Sequence, residues 1–137
     1  MTAPASLGPA MVDTRHRPPV ILVVDDEALL RMLATDHFED AGYEVLEAAN
    51  GAEALAILER RPDIAAVVTD VHMPGDPDGI ALSHKVREAS ESCAIVVVSG
   101  RAAPTTGDMA EGARYVPKPY QGAEVVRVVG DILATQS

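Results

Sequence analysis

The sequence lacks the features of a secreted protein. Cys93 is the only cysteine among the 137 residues, so no disulfide bond can form within the chain. The N-terminal stretch is rich in Pro and Ala but lacks the apolar run of about 7 to 15 residues that a signal peptide requires. These two absences predict a reducing, cytoplasmic location.

Long apolar runs and an excess of positive charge are also missing. No segment reaches the ~18 to 20 consecutive apolar residues that a transmembrane helix requires. The formal net charge is -10, and the basic residues are scattered along the chain. Such a surface repels the phosphate backbone of a nucleic acid. We therefore predict a protein that binds neither membranes nor nucleic acids.

The chain does contain enough apolar material for one hydrophobic core. Apolar residues make up 47% of the sequence, which suits a single compact domain at this length. Residues 1–19 hold Pro, Ala, Thr and Gly without apolar periodicity and are predicted to form a flexible leader. The domain itself is predicted to occupy residues 20–134, and residues 135–137 form a short tail.

From Val20 onward, short apolar runs alternate with segments of helical periodicity. Gly42 suits the left-handed end of the first helix, and Asn50 suits the N-cap of the second, which ends before Pro62. The predicted strands cover residues 20–24, 43–46, 64–69, 94–98 and 114–116. The predicted helices cover residues 28–41, the segment between Asn50 and Pro62, residues 79–89, a weak helix near 106–111, and residues 122–134.

This alternation predicts an α/β fold of five β/α units. Strands that are apolar on both faces and separated by helices favour a parallel sheet between two helical layers, joined by right-handed crossovers. Sites in such folds lie at the carboxyl ends of the strands. The candidates are therefore the polar residues that follow the apolar runs: Asp25, Asp26, Glu27, Asp70, Ser99 and Lys118.

Each candidate has an ordinary structural explanation when it is considered alone. The acidic run from Asp25 to Glu27 suits the start of a helix and its macrodipole. Asp70 and Ser99 suit turns, and Lys118 is most simply an exposed lysine between two prolines. None of these residues identifies a function by itself.

In combination, the same residues indicate a metal site. Carboxylates that are forced together at one sheet edge repel one another and are partly desolvated unless a cation joins them. Mg²⁺ prefers oxygen ligands and is typically held by one or two carboxylates together with phosphate oxygens. A zinc site is rejected, because His72 and His84 lie at no recognised ligand spacing and Cys93 stands alone.

Four motifs, VVDDE, VVTDVHMPG, VVVSG and YVPKPY, resemble in sequence and order those of the receiver domains of two-component response regulators. The resemblance runs from about Val20 to Ala134. It implies a flavodoxin-like fold with a five-stranded parallel sheet of order 2-1-3-4-5 and helices on both faces. Two departures stand out: the fourth helix is expected to be short or irregular around Pro104, Gly107 and Gly112, and the loop MPGDPDG is one residue longer than the family's common form.

The resemblance also implies residue roles in phosphorylation. Asp70 looks like the phosphoacceptor, and Asp25 and Asp26 look like the acid pair that holds Mg²⁺ together with Asp70. The backbone carbonyl of His72 looks like a further ligand of Mg²⁺. The Asp70 carboxylate would attack phosphorus in line, while Mg²⁺ and Lys118 neutralise the charge on the equatorial oxygens of the transferred group.

A second set of residues matches the family's positions for sensing the phosphoryl group. Ser99 and Lys118 match the hydroxyl and the lysine that contact the phosphoryl oxygens. Tyr115 occupies the aromatic switch position, and its ring is expected to fill the space that Ser99 vacates when Asp70 is phosphorylated. Ordinary core packing is the alternative explanation for Tyr115.

The implied function is a signalling switch and not a classical enzyme. Its partners would be a sensor histidine kinase or a histidine phosphotransfer protein, and an unknown downstream protein, because only three residues follow Ala134. The finer resemblance is to stand-alone receivers, which would be monomers or weak dimers. Three alternatives remain: a receiver cut from a hybrid histidine kinase, a pseudo-receiver, and a phosphohydrolase of the haloacid dehalogenase type. The last family carries a D-x-D motif after its first strand, and the segment VVDDE does not contain this motif.

Overall fold

The computed structural model describes residues 17–100 and 108–135. Its strands are β1 (Val20–Val24), β2 (Glu44–Ala48), β3 (Ile64–Asp70), β4 (Ala94–Ser99) and β5 (Arg114–Pro117). Its helices are α1 (Ala28–Asp40), α2 (Gly51–Arg60), α3 (Gly79–Ala89) and α4 (Gly122–Thr135). The strands form one parallel sheet of order β2-β1-β3-β4-β5, which confirms the predicted fold.

The central strands are covered on both faces. Every residue of β1 and β4 is buried. Successive residues of β1 join different apolar clusters: Leu22 and Val24 pack on one side of the sheet, and Ile21 and Val23 on the other. This double burial is the physical reason that the strands appear in the sequence as continuous apolar runs.

The predicted helix ends at Asn50 and Gly42 are confirmed. Asn50 is the N-cap of α2, and its side chain accepts a hydrogen bond of 2.9 Å from the Glu53 N–H. The Glu53 carboxylate in turn accepts from the Ala49 N–H at 2.8 Å, a reciprocal arrangement similar to a capping box. Gly42 follows α1 with φ of 97°, a left-handed conformation that favours glycine.

Helix α1 leaves apolar side chains on its solvent side. Its buried residues are Ala34, Thr35 and Phe38. Three large apolar side chains on the same helix are exposed, and we refer to them as the α1 apolar strip: Leu29 (67% exposed), Met32 (55%) and Leu33 (49%). The apolar pattern that predicted this helix therefore includes residues that the domain does not bury.

The predicted weak helix near residues 106–111 is wrong for the part that the structure describes. Residues 108–111 form an irregular, non-helical segment, as the family resemblance led us to expect, and residues 106–107 lie outside the described residues. Side chains of α3 hold this segment by its backbone: Ser83 Oγ accepts from the Ala110 N–H at 3.3 Å, and Arg87 Nε donates to the Glu111 carbonyl at 2.9 Å. These contacts satisfy polar groups that a helix would have paired internally.

The other predicted elements are present, with ends that differ by one or two residues. The largest difference is in β2, predicted over residues 43–46 and found at Glu44–Ala48. Among the described residues, no helix is long and apolar enough to span a membrane. The proposed leader and tail lie almost wholly outside the described residues, so the domain limits stay predictions.

Candidate functional site

The carboxyl ends of four neighbouring strands bring the candidate residues to one edge of the sheet. Asp25 directly follows β1, Asp70 and Ser99 are the last residues of β3 and β4, and Lys118 directly follows β5. The register places Asp70 opposite Val98 and Ser99 opposite Pro117. The parallel arrangement therefore aligns residues that are up to 93 positions apart in the sequence (118 minus 25).

Four acidic side chains form a compact cluster at this edge. One carboxylate oxygen from each of Asp25, Asp26, Glu27 and Asp70 lies within 4.8 Å of the others. Asp25 and Asp70 are only 4% and 6% exposed, whereas Asp26 and Glu27 are exposed. The cluster thus has a buried base and a side that is open to solvent.

Lys118 reaches the buried base of this cluster. Its Nζ donates a hydrogen bond to Asp70 Oδ2 at 2.9 Å and forms an ion pair with Asp25 Oδ2 at 3.5 Å. The Lys118 side chain is 15% exposed. The interpretation of Lys118 as an ordinary surface lysine is therefore wrong.

The surroundings shift the proton affinities of two of these groups. Burial raises the pKa of the Asp25 carboxyl above its ordinary value, although the Glu27 N–H and the Lys118 ammonium act in the opposite direction. Burial by itself would lower the pKa of Lys118, but the hydrogen bond to Asp70 and the nearby carboxylates raise it. A further cation at the cluster would favour the ionised form of Asp25.

Backbone N–H groups fix the orientation of both buried carboxylates. The His72 N–H donates to Asp70 Oδ1 at 3.2 Å, and the Glu27 N–H donates to Asp25 Oδ1 at 2.9 Å. The His72 side chain is exposed. Each buried aspartate therefore directs one oxygen to the backbone and the other to Lys118.

The start of α3 packs closely against the phosphoacceptor candidate. The Gly79 N–H donates to the Val71 carbonyl at 3.0 Å. A Cβ at Gly79 would collide with the Asp70 carbonyl and would lie 2.7 Å from the Val71 Cα. Glycine is therefore required at this position for the helix to approach the end of β3.

Ser99 and Tyr115 lie beside the lysine. Ser99 is 1% exposed, and its carbonyl accepts a hydrogen bond of 2.8 Å from the Lys118 N–H. The half-buried Tyr115 donates its hydroxyl to the same carbonyl at 3.4 Å. The aromatic side chain is therefore linked to the strand that carries the hydroxyl residue.

Sequence reasoning left out two residues of this region. Glu27 was noted as a polar residue but not as part of the metal site, although its carboxylate belongs to the cluster. Arg31 was not considered, and its guanidinium donates to the Asp25 carbonyl. The position of Glu27 next to the acid pair was an available signal, whereas nothing in the spacing indicated that Arg31 folds back from α1.

The fold and the site define a doubly wound α/β domain that has an acidic pocket and a half-buried lysine at the carboxyl edge of its sheet. The family model for the response regulator receiver domain matches residues 21–129. The chain therefore belongs to the response regulator receiver domain family of two-component signalling systems, which favours a receiver over the haloacid dehalogenase alternative.

The relatives include both short and long proteins. The chain is 35% identical over 117 residues to the chemotaxis protein CheY of Thermotoga maritima, covering 82% of this chain and 95% of that protein. It is 32% identical over 120 residues to the sensor kinase CckA of Brucella abortus, covering 85% of this chain but 13% of that protein. The same domain thus occurs alone and within larger proteins.

Solved structures agree with this assignment. A response regulator receiver protein from Sinorhizobium medicae superimposes with a TM-score of 0.83 at 30% identity, covering 88% of this chain and 98% of that chain. The receiver domain of the hybrid histidine kinase CckA superimposes with a TM-score of 0.72 at 35% identity, covering 83% and 98%.

Proposed function

We propose that this chain is a phosphoaccepting receiver in which Asp70 takes a phosphoryl group from a phosphohistidine, with the help of Mg²⁺. The donor would be a sensor histidine kinase or a histidine phosphotransfer protein. The single observation that carries this proposal is the convergence of Asp25, Asp26 and Asp70 on one pocket with Lys118 at its base. The family assignment is consistent with the same roles.

The residues of the pocket fit Mg²⁺. All the candidate ligand atoms are oxygens, and the two exposed acids leave one side of the pocket open to water. Mg²⁺ is a hard cation that keeps several waters and shares the remaining positions between carboxylates and phosphate oxygens. We assign Asp25, Asp26, Asp70 and the His72 backbone carbonyl to this site, and when bound, Mg²⁺ supplies charge neutralisation for the transferred group.

The chemistry at Asp70 is a displacement at phosphorus. An oxygen of the ionised carboxylate forms a bond to phosphorus as the P–N bond of the phosphohistidine breaks, and the bonding electron pair stays on the imidazole nitrogen. Lys118 already lies 2.9 Å from an oxygen of the nucleophile and offers its charge to the phosphoryl oxygens. The protein thus contributes mainly position and charge.

The new charge at Asp70 is proposed to operate the switch. A phosphoryl group brings a charge of about -1.5 to -2 and three strong hydrogen-bond acceptors. The Ser99 hydroxyl, at the end of the adjacent strand, is drawn toward these acceptors. In this structure the Tyr115 hydroxyl donates to the Ser99 carbonyl. After phosphorylation, the Tyr115 ring moves into the space that the Ser99 hydroxyl leaves.

The α1 apolar strip is proposed as part of the surface that receives the phosphodonor. It borders a cavity of about 420 Å³, which is lined by Leu33 of the strip and, beyond β5, by Lys118, Pro119 and Tyr120. A protein that covers the strip and also fills this cavity would reach the lysine that contacts Asp70. Exposed apolar side chains grouped in this way are typical of protein interfaces.

Labelling with a small phosphodonor tests the proposal. The full chain is incubated with acetyl phosphate and Mg²⁺, and its intact mass is measured. We expect one phosphoryl adduct, which is absent in EDTA and in Asp70→Asn. Asp131→Asn, a change of the same kind at an exposed position of α4, serves as the matched control and should keep the adduct.

The outcome that contradicts the proposal is equally clear. An adduct that persists in Asp70→Asn, or that maps to a serine or histidine, excludes Asp70 as the acceptor. The same experiment does not depend on whether the chain acts alone or as the receiver of a hybrid histidine kinase, because both alternatives use the same site.

A further inference from the structure

We propose that Arg31 is a positioning residue for the metal site, which acts through the peptide group that joins Asp25 to Asp26. This inference rests on the proposed function, because it concerns the same Mg²⁺ site. Arg31 lies in the first turns of α1, where its N–H donates to the Glu27 carbonyl at 3.0 Å. Its side chain folds back over the start of the helix toward the acidic cluster.

The contact with Asp25 is short and partly buried. Arg31 Nη1 donates to the Asp25 carbonyl oxygen at 2.7 Å, and the arginine side chain is 19% exposed. The other polar group of the Asp25 backbone is also held, because its N–H donates to the Ala48 carbonyl at 3.2 Å. The backbone of the buried acid is therefore fixed from both sides.

The held carbonyl belongs to the peptide group between two proposed ligands. A peptide group is planar, so fixing its oxygen restricts ψ of Asp25 and φ of Asp26 together. Asp25 has a second anchor, because its side chain accepts from the Glu27 N–H. Asp26 is exposed, so the direction of its carboxylate depends more strongly on the orientation of this peptide.

Arg31 is itself anchored by the edge strand of the sheet. Its Nε donates to Glu47 Oε1 at 3.0 Å, and Glu47 lies on β2, the strand paired with β1. A planar guanidinium can serve a carboxylate and a carbonyl at the same time because its donors point in fixed directions. A lysine at this position has one ammonium group and cannot reproduce this geometry.

The charge of Arg31 has the opposite effect on a bound cation. A guanidinium close to the acidic cluster repels Mg²⁺, so a purely electrostatic role predicts tighter binding when the charge is removed. A positioning role predicts weaker binding, because outer partners of metal ligands typically contribute about 10-fold to 100-fold in affinity. The sign of the change therefore separates the two roles.

The experiment measures Mg²⁺ affinity of the full chain by titration calorimetry and by NMR, together with the Mg²⁺ dependence of labelling by acetyl phosphate. We expect Arg31→Gln to weaken Mg²⁺ binding by about 10-fold. Arg31→Lys, which keeps the charge, should also bind Mg²⁺ more weakly than the wild type. The Mg²⁺ concentration that gives half-maximal labelling should rise in both variants by about the same factor as the dissociation constant.

Arg127→Gln is the matched control, since it removes an exposed arginine that pairs with Asp131 on α4. It should leave Mg²⁺ affinity unchanged. The inference is overturned if Arg31→Gln binds Mg²⁺ as tightly as the wild type or more tightly. If Arg31→Gln does not fold, the inference is overturned by a wild-type Mg²⁺ affinity in Arg31→Lys. Failure of the wild-type chain to bind Mg²⁺ would instead contradict the proposed function itself.

Discussion

Replacing Lys118 by methionine tests whether its ammonium is the cation that makes the buried acids tolerable. The substitution keeps most of the aliphatic side chain and removes the ammonium group, with its charge and its hydrogen bond to Asp70. At 2.9 Å from Asp70 and 3.5 Å from Asp25, and at an effective dielectric constant of about 20, the gross attractions are about 6 and about 5 kcal/mol. The cost of burying the ammonium offsets a large part of this sum.

The net effect is smaller and can be bounded. Removing one partner of a buried ion pair typically costs about 3 to 5 kcal/mol, because the other charge is left uncompensated. We expect Lys118→Met to lower the free energy of unfolding by about 3 kcal/mol at neutral pH in EDTA, the lower end of that range, because the acid cluster is open to solvent on one side. Since the pKa of Lys118 is raised, its contribution is fully present at neutral pH and is lost only as the pH rises through that raised value.

Urea unfolding followed by circular dichroism measures this difference with and without Mg²⁺. Lys85→Met is the matched control, because Lys85 is the only other lysine and is exposed on α3. Added Mg²⁺ should recover much of the stability lost in Lys118→Met, because the ion takes over the neutralisation of the carboxylates. If Lys118→Met costs no more than Lys85→Met in EDTA, the electrostatic reasoning is wrong.

Three further predictions concern the residues around the pocket. The folded state binds the Asp25 proton more tightly than the unfolded state, because burial raises the pKa of this carboxyl. In EDTA, the free energy of unfolding of the wild type should therefore increase as the pH falls through this raised pKa toward the ordinary value of 3.8. Urea unfolding of Asp25→Asn should show no such increase. Gly79→Ala should lower the free energy of unfolding by about 2 to 3 kcal/mol, because the new Cβ collides with the Asp70 carbonyl. Gly130→Ala in α4 is the control: its Cβ would lie 3.6 Å from the nearest atom, so thermal unfolding should show a gain of about 0.5 to 1 kcal/mol. Tyr115→Ala should reduce the NMR shift changes that phosphorylation causes, and an undiminished response would exclude the aromatic from the switch.

The sheet and the location of the site could be predicted because both depend on local pattern. Strands that are buried on both faces appear as continuous apolar runs, as in β1 and β4. Once the strands are known to be parallel, their carboxyl ends must share an edge, so the convergence of Asp25, Asp70 and Lys118 follows from topology. The edge strand β2 was placed less accurately, since its exposed glutamates interrupt the apolar pattern.

The course of the chain before β5 could not be predicted, because it depends on distant residues. Gly107 and Gly112 indicate only that a regular helix is unfavourable. The contacts that fix residues 108–111 come from Ser83 and Arg87 on α3, more than 20 positions away. The face of α1 that packs on the core could not be identified from apolar residues alone, because Leu33 belongs to the helical apolar spacing but is 49% exposed, whereas the polar Thr35 is buried.

The charge balance of the pocket gives a physical reason for linking the proposed binding of a cation to the proposed transfer of a phosphoryl group. When all groups are ionised, four carboxylates and the Lys118 ammonium leave a formal charge of -3. A divalent cation reduces this to -1, which permits a phosphodonor that carries negative charge to approach. Phosphorylation replaces the single charge on Asp70 by about -1.5 to -2. The excess then has to be met by nearby donors, and we propose that the hydroxyl of Ser99, at the end of the adjacent strand, is one of them.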